Sequence, residues 1–196
     1  KIIYREQCII EPDETVGEVH DKLMEIGSEL VVQTVEDILD EAVELRVQKS
    51  FVQGSEILKP APKLTRELCH IDWNGKTSKI YNLIRGLSPY PAAFTELTKD
   101  DKTLQMKIYR TEKITGNSYT EMLESCGLSS AAPGAVLSDG KKFLAIATAD
   151  GAISVTDLQL AGKKRMPVKD FLIGFRDPMS YGTTQGTSSQ VIDKQY

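Results

Sequence analysis

The chain has 196 residues, 40% of them hydrophobic and 27% charged, a composition that reads as soluble and globular. No apolar run approaches the roughly 20 residues that a bilayer-spanning helix needs, and Lys1-Ile2-Ile3-Tyr4-Arg5 does not open a signal peptide. The net charge of −4 hides a division: residues 1–45 set Lys1, Arg5 and Lys22 against 13 carboxylates, and the remainder sets 21 cations against 15 carboxylates, giving −10 and +6. Such asymmetry points to contact between the basic part and nucleic acid.

Residues Ile2-Ile3-Tyr4 and Cys8-Ile9-Ile10 are short strand material. An opening inside a strand, without Met, reads as a fragment of a longer chain, with a processed N-terminus as the alternative. Pro12-Asp13-Glu14-Thr15 then announces a helix, in which Thr15 and Glu18 fit a reciprocal capping box. Val16, Val19, Leu23 and Ile26 follow at helical spacing. Gly27-Ser28 is expected to interrupt, with a second helix on Leu30, Val31, Val35, Ile38 and Leu39. Segment 1–41 thus reads as the last helical layer of a sheet-containing domain. Residues 42–71 keep no period and read as a linker. Its stiff part is Lys59-Pro60-Ala61-Pro62-Lys63, since proline restricts itself and its predecessor.

A short helix is expected from Ser78 to Leu87, with Ile80, Leu83, Ile84 and Leu87 on one side, ended by Ser88-Pro89-Tyr90-Pro91. Strands follow at 92–98 and where Leu104, Met106 and Ile108 alternate with Gln105, Lys107 and Tyr109. Asp139-Gly140 and Asp150-Gly151 suit the positive φ of tight hairpin turns. They would join strands at 134–138, 141–147 and 152–160. In the last of these Ile153 and Val155 share a face that Leu158 and Leu160 do not, so a bulge is expected near Asp157. Residues 168–175 close as a helix. The predicted class is α+β, with five strands in 72–176 making a small OB-like barrel; a small sandwich is the alternative. The Gly-, Ser-, Thr- and Gln-rich tail 177–196 has the composition of a disordered segment.

Three cysteines, Cys8, Cys69 and Cys126, are too few and too scattered for a disulfide framework, and with only His20 and His70 beside them a zinc site is not expected. That cysteine usage suits a reducing cytosol. His20 reads as a surface residue and His70 as a packing or capping one. The positive candidates are cationic. Gly162-Lys163-Lys164-Arg165-Met166 places three cations together, which must face water or an anion. Lys59, Lys63, Arg66, Lys76, Lys79 and Arg85 add charge around the linker and first helix. Basic loops on an OB-type barrel suit a phosphate backbone. Trp73 and Tyr90 are candidates for stacking on bases, with buried anchoring the better reading of Trp73.

Ile71-Asp72-Trp73, Ile84-Arg85-Gly86-Leu87-Ser88-Pro89-Tyr90-Pro91-Ala92-Ala93-Phe94-Thr95 and Gly162-Lys163-Lys164-Arg165-Met166, in this order, closely resemble the C-terminal domain of methionyl-tRNA formyltransferases. Ile2-Ile3-Tyr4 through Leu23-Met24-Glu25-Ile26-Gly27 looks like the end of that family's catalytic domain. The resemblance implies a Rossmann-like formyltransferase domain ending near residue 41, a linker over 42–71, and an OB-like domain over 72–176 that helps hold tRNA. It implies formyl transfer from 10-formyltetrahydrofolate to the methionine amino group of initiator methionyl-tRNA, in the cytoplasm, by a monomeric parent enzyme needing no metal and no membrane. The family's catalytic Asn, His and Asp would lie upstream of Lys1, so no catalytic residue is assigned here and the fragment is expected to bind tRNA weakly without catalysis. Candidates for tRNA contact are Lys163, Lys164, Arg165, Lys63, Arg66 and Arg85. Two rivals stand beside this: a related folate-dependent formyltransferase or hydrolase acting on a small molecule, and a free-standing RNA-binding or interaction module.

Overall fold

The computed structural model describes residues 1–51 and 60–184. The described residues fall into two compact units, one within Lys1–Pro62 and one from Lys63 to Thr184.

In the first unit, Thr15 and Glu18 form the expected capping box at the start of α1, Val16–Leu39. Glu18 N–H donates to Thr15 Oγ1 at 3.4 Å, and Glu18 Oε2 accepts from the Thr15 N–H at 2.8 Å. The interruption expected at Gly27-Ser28 is absent, and α1 runs for 24 residues without a break. A glycine inside a helix costs only about 1 kcal/mol. Ser28 Oγ stays within the helix by donating to the Glu25 carbonyl at 2.7 Å. Ile2 makes a single antiparallel bridge with Arg46, while residues 8–10 form no strand because no described segment pairs with them. No residue of α1 is buried, and Leu23, Met24, Val31, Val35 and Ile38 are all exposed.

The second unit begins within the stretch whose composition reads as linker. Arg66–Cys69 is one helical turn, α2. Cys69 and Ile71 are buried, and the Ile71 N–H donates to the Phe94 carbonyl at 2.9 Å. The next helix, α3, is Thr77–Leu87, whose Ile80, Ile84 and Leu87 enter the core. It lacks a local cap; instead Asp150 Oδ1 accepts from the Thr77 N–H at 2.7 Å and from Thr77 Oγ1 at 2.8 Å.

The strands are β1 Ala93–Lys99, β2 Lys102–Ile114, β3 Val136–Ser138, β4 Leu144–Ala147, β5 Ala152–Leu160, β6 Met166–Pro167 and β7 Gly182–Thr183. Between them lie α4, Asn117–Ser125, and α5, Val168–Gly174. The sheet order is β3-β4-β5-β2-β1-β7, with β6 on β5 and every pairing antiparallel. β7 pairs with β1, and Gly182 also bridges Ala135 just before β3, so the sheet closes into the expected OB-like barrel.

The closing strap comes from residues 177–184, whose composition reads as a disordered tail. Lys99 reaches both the Asp177 carboxylate, at 3.6 Å, and the Tyr181 ring, at 5.4 Å, and Phe175 packs on Tyr181. Residues 185–196 lie outside the described residues, as do Lys59 and the rest of 52–59.

The bulge near Asp157 is present. Ile108 pairs with Leu158, Arg110 with Asp157 and Thr111 with Val155, leaving Tyr109 and Thr156 as extra residues. It lets Val155 and Leu158 both point inward, fully buried.

The two Asp-Gly pairs differ. Gly140 has φ of 70°, as a tight turn asks, and Asp139 accepts from the N–H groups of Lys141, Lys142 and Phe143. Burial would push the Asp139 carboxyl up, but these donors together outweigh it and hold it below its usual value. Gly151 is not at positive φ. It is required because a Cβ there would stand 2.4 Å from the Ile114 carbonyl oxygen.

Candidate nucleic-acid interface

Among the described residues, α4 covers one part of the outside of the barrel. Leu123 of α4 packs on Leu137, Ala145, Ala147 and Ala152, closing the outside of β3, β4 and the start of β5. The bulge in β5 separates this from its second half, so the outside of β1, β2 and the end of β5 carries a different set of residues.

Strand alternation explains which. Thr95 and Leu97 of β1, Met106 and Ile108 of β2, and Leu158 of β5 point inward and are buried. Phe94, Lys107 and Gln159 are therefore outward, and the register places them in one row, Phe94 opposite Lys107 and Lys107 opposite Gln159. His70 extends the row through its bridge to Phe94, with the rings stacked at 4.9 Å. Tyr109 and Asp157 lie on the same face beside it.

Cations cover the aromatic rings. The Arg66 guanidinium sits 5.3 Å from the Phe94 ring centre, and that of Arg165 sits 4.3 Å from Tyr109. Lys107 Nζ donates to the Pro91 carbonyl at 3.3 Å. Arg165 is also held by Asp157, whose Oδ2 accepts from its Nε at 2.8 Å and from its Nη2. This hydrogen bond raises the guanidinium pKa above even its usual high value, and burial pushes the Tyr109 phenol up.

The turn carrying Lys163 and Lys164 connects β5 to β6, with Gly162 at φ of 74°. Both lysines are exposed, and neither has an ionic partner among the described residues. The turn itself is tied down: Ala161 N–H donates to the Gln105 carbonyl, Lys163 N–H to that of Leu160, and Gln159 Nε2 to that of Lys163.

Four sequence candidates, Arg66, Lys163, Lys164 and Arg165, thus belong to this sheet face or the turn at its edge. Arg85 instead donates to Asn82 Oδ1 at 2.8 Å, one turn back on α3, and Lys63 is exposed ahead of α2. Trp73 is wholly buried and its Nε1 donates to Thr95 Oγ1 at 3.0 Å, so it anchors the start of the barrel. Tyr90 is 83% exposed at the end of α3. Lys107 and Tyr109 are additional members, legible in hindsight from the alternation with Leu104, Met106 and Ile108. His20 is exposed beside Asp21, 3.2 Å away, and no cluster of three or more potential metal ligands occurs among the described residues.

A small OB-like barrel with a cation-bearing outer face defines the class of domain. Residues 63–176 match the formyl transferase C-terminal domain, and the chain belongs to that family. It is 46% identical over 175 residues to a methionyl-tRNA formyltransferase of Azobacteroides pseudotrichonymphae, covering 89% of this chain and 51% of that protein. With the methionyl-tRNA formyltransferase of Phocaeicola vulgatus it shares 44% over 177 residues, 90% of this chain and 51% of that one. The chain spans about half the length of the curated relatives it matches. A weaker likeness is to HypX from Aquifex aeolicus, with a TM-score of 0.41 and 19% identity over 73% of this chain and 24% of that one.

Proposed function

We propose that the chain is part of an enzyme that transfers formyl from 10-formyltetrahydrofolate to the methionine amino group of initiator methionyl-tRNA, and that its barrel grips the tRNA backbone. The observation that carries the tRNA role is the outer face of β1, β2 and β5, where Arg66, Lys107 and the turn with Lys163 and Lys164 lie among aromatic rings. Phosphates are held by such cations, and bases by exposed aromatics such as Tyr90. The names of the relatives supply the reaction, and their greater length leaves room for a reaction centre outside these residues.

Folate is assigned to that outside part. The groove on α1 is lined by Val16, Val19, His20, Leu23 and Met24. It offers one polar side chain, whereas a pterin edge needs several donors and acceptors. These residues do not fit the co-substrate, and no step is routed through them. The exposed apolar side chains of α1 favour this reading over a free-standing RNA-binding module, which would have no use for an uncovered helix.

The test is tRNA binding by the 196-residue chain across a range of salt. Each neutralised phosphate contributes roughly 0.7–0.9 to the slope of log affinity against log salt. Lys163→Ala with Lys164→Ala should lower the slope by about twice that amount. An unchanged slope removes the turn from the interface.

A further inference from the structure

We infer that Arg165 is a positioning residue, which works through Asp157, Tyr109 and Gln159 to fix the turn so that Lys163 and Lys164, rather than Arg165 itself, meet the polyanion. The inference rests on the RNA reading above and divides the labour within the basic triplet.

Its first support is the state of Arg165. The guanidinium donates twice to Asp157 Oδ2, and its carbon stands 4.3 Å from the Tyr109 ring centre. Its charge is matched by the carboxylate and one of its surfaces faces the ring, so the two interactions set where the guanidinium sits. The second support is Asp157. Its Oδ1 is buried and has no hydrogen-bond partner. Holding a carboxylate oxygen from water without a donor is unfavourable. What offsets it is the guanidinium on the other oxygen, so this pair is built into the sheet rather than a chance meeting of surface charges.

A third support is the continuation of the network. Tyr109 OH donates to Gln159 Oε1 at 2.7 Å, and Gln159 Nε2 donates to the Lys163 carbonyl at 2.8 Å. Both ends of the amide are used. The turn is therefore fastened at Lys163 through Gln159 and at Arg165 through Asp157, with Tyr109 touching both routes. The two lysines between these points project into solvent with no ionic partner among the described residues. The bulge lies in the same stretch: the extra Tyr109 and Thr156 shift the register there and bring Arg110 opposite Asp157.

Asp157→Asn separates this from direct phosphate binding by Arg165, because the two predict opposite signs. If Arg165 were a ligand, removing the carboxylate would free its charge and tighten tRNA binding. Positioning predicts weakening of about threefold to tenfold in Kd, from loss of one charge-assisted pair at a half-exposed site. It also predicts that Lys163→Ala with Lys164→Ala, effective in the wild-type chain, has little further effect in the Asp157→Asn background. Gln159→Met breaks the other fastening without altering charge and should weaken binding in the same direction. Limited trypsin digestion supplies a readout independent of RNA: cleavage after Lys163 and Lys164 should be faster in both variants.

Tighter or unchanged binding in Asp157→Asn, additive effects, or unchanged cleavage would each overturn the positioning role. Faster cleavage with lysine substitutions that leave wild-type tRNA binding untouched would uphold the clamp and overturn the RNA reading.

Discussion

Substituting Gly151 by alanine tests how closely β2, β5 and the start of α3 are packed. The new Cβ would lie 2.4 Å from the Ile114 carbonyl oxygen and 3.0 Å from both Thr115 Cγ2 and Thr77 Oγ1. Rotamer changes cannot relieve the first contact, because it is with backbone. Reaching an ordinary separation requires a shift of about 1 Å where Ile114 pairs with Ala152, and well-packed interiors resist such overpacking at about 1–3 kcal/mol. With three contacts involved, the upper end applies, about 3 kcal/mol, or roughly a 10 °C fall in Tm for a domain of this size. Gly140→Ala is the control. Its φ of 70° is strained for alanine, but nothing lies within 4 Å, so only the backbone term of about 1–2 kcal/mol applies. Urea unfolding of the two variants beside wild type gives both values. If Gly151→Ala proved no less stable than Gly140→Ala, the close-approach argument would be wrong.

Asp150→Ala removes the two hydrogen bonds that cap α3 from across the barrel, at a cost of about 1 kcal/mol at pH 7, typical of an exposed cap. The hydrogen bond from the Thr77 N–H, with that from its hydroxyl, holds the Asp150 carboxyl below its usual 3.8. That contribution is full above the unfolded value and is lost as pH falls through the folded one. The stability gap between variant and wild type should therefore narrow below about pH 4, and an equal gap at pH 3 and pH 7 would refute it. The 196-residue chain, incubated with methionyl-tRNA and 10-formyltetrahydrofolate, is expected to form no formylmethionyl-tRNA; turnover would mean that a reaction centre lies within these residues.

Local chemistry carried much of the fold into view. The capping box of Thr15 and Glu18, the α3 pattern of Ile80, Ile84 and Leu87, and the alternation through Met106 and Ile108 depend on neighbours a few residues away, so periodicity exposes them. The bulge near Asp157 was visible for the same reason, as a switch of face inside one strand. α4 shows a signal that a strand-and-turn reading passes over, since Tyr119, Met122, Leu123 and Cys126 recur at helical spacing and pack on the barrel. Gly27-Ser28 shows the reverse error, a local weakness outweighed by the turns on either side.

What the amino-acid order alone determined was the type of the strongly periodic elements, such as α3 and β2, the hairpin-rich β character of the second part, and the concentration of cations there. Only the tertiary structure decided that Asp150 caps a helix 73 residues away, that Gly151 serves a close approach rather than a positive φ, and that residues 182–183 complete the barrel. It also separated Arg165, matched by Asp157, from Lys163 and Lys164, which have no ionic partner among the described residues. The reason is physical: each of these depends on which strands lie side by side and in what register, and register is set by packing across the whole sheet, which no short stretch of sequence contains.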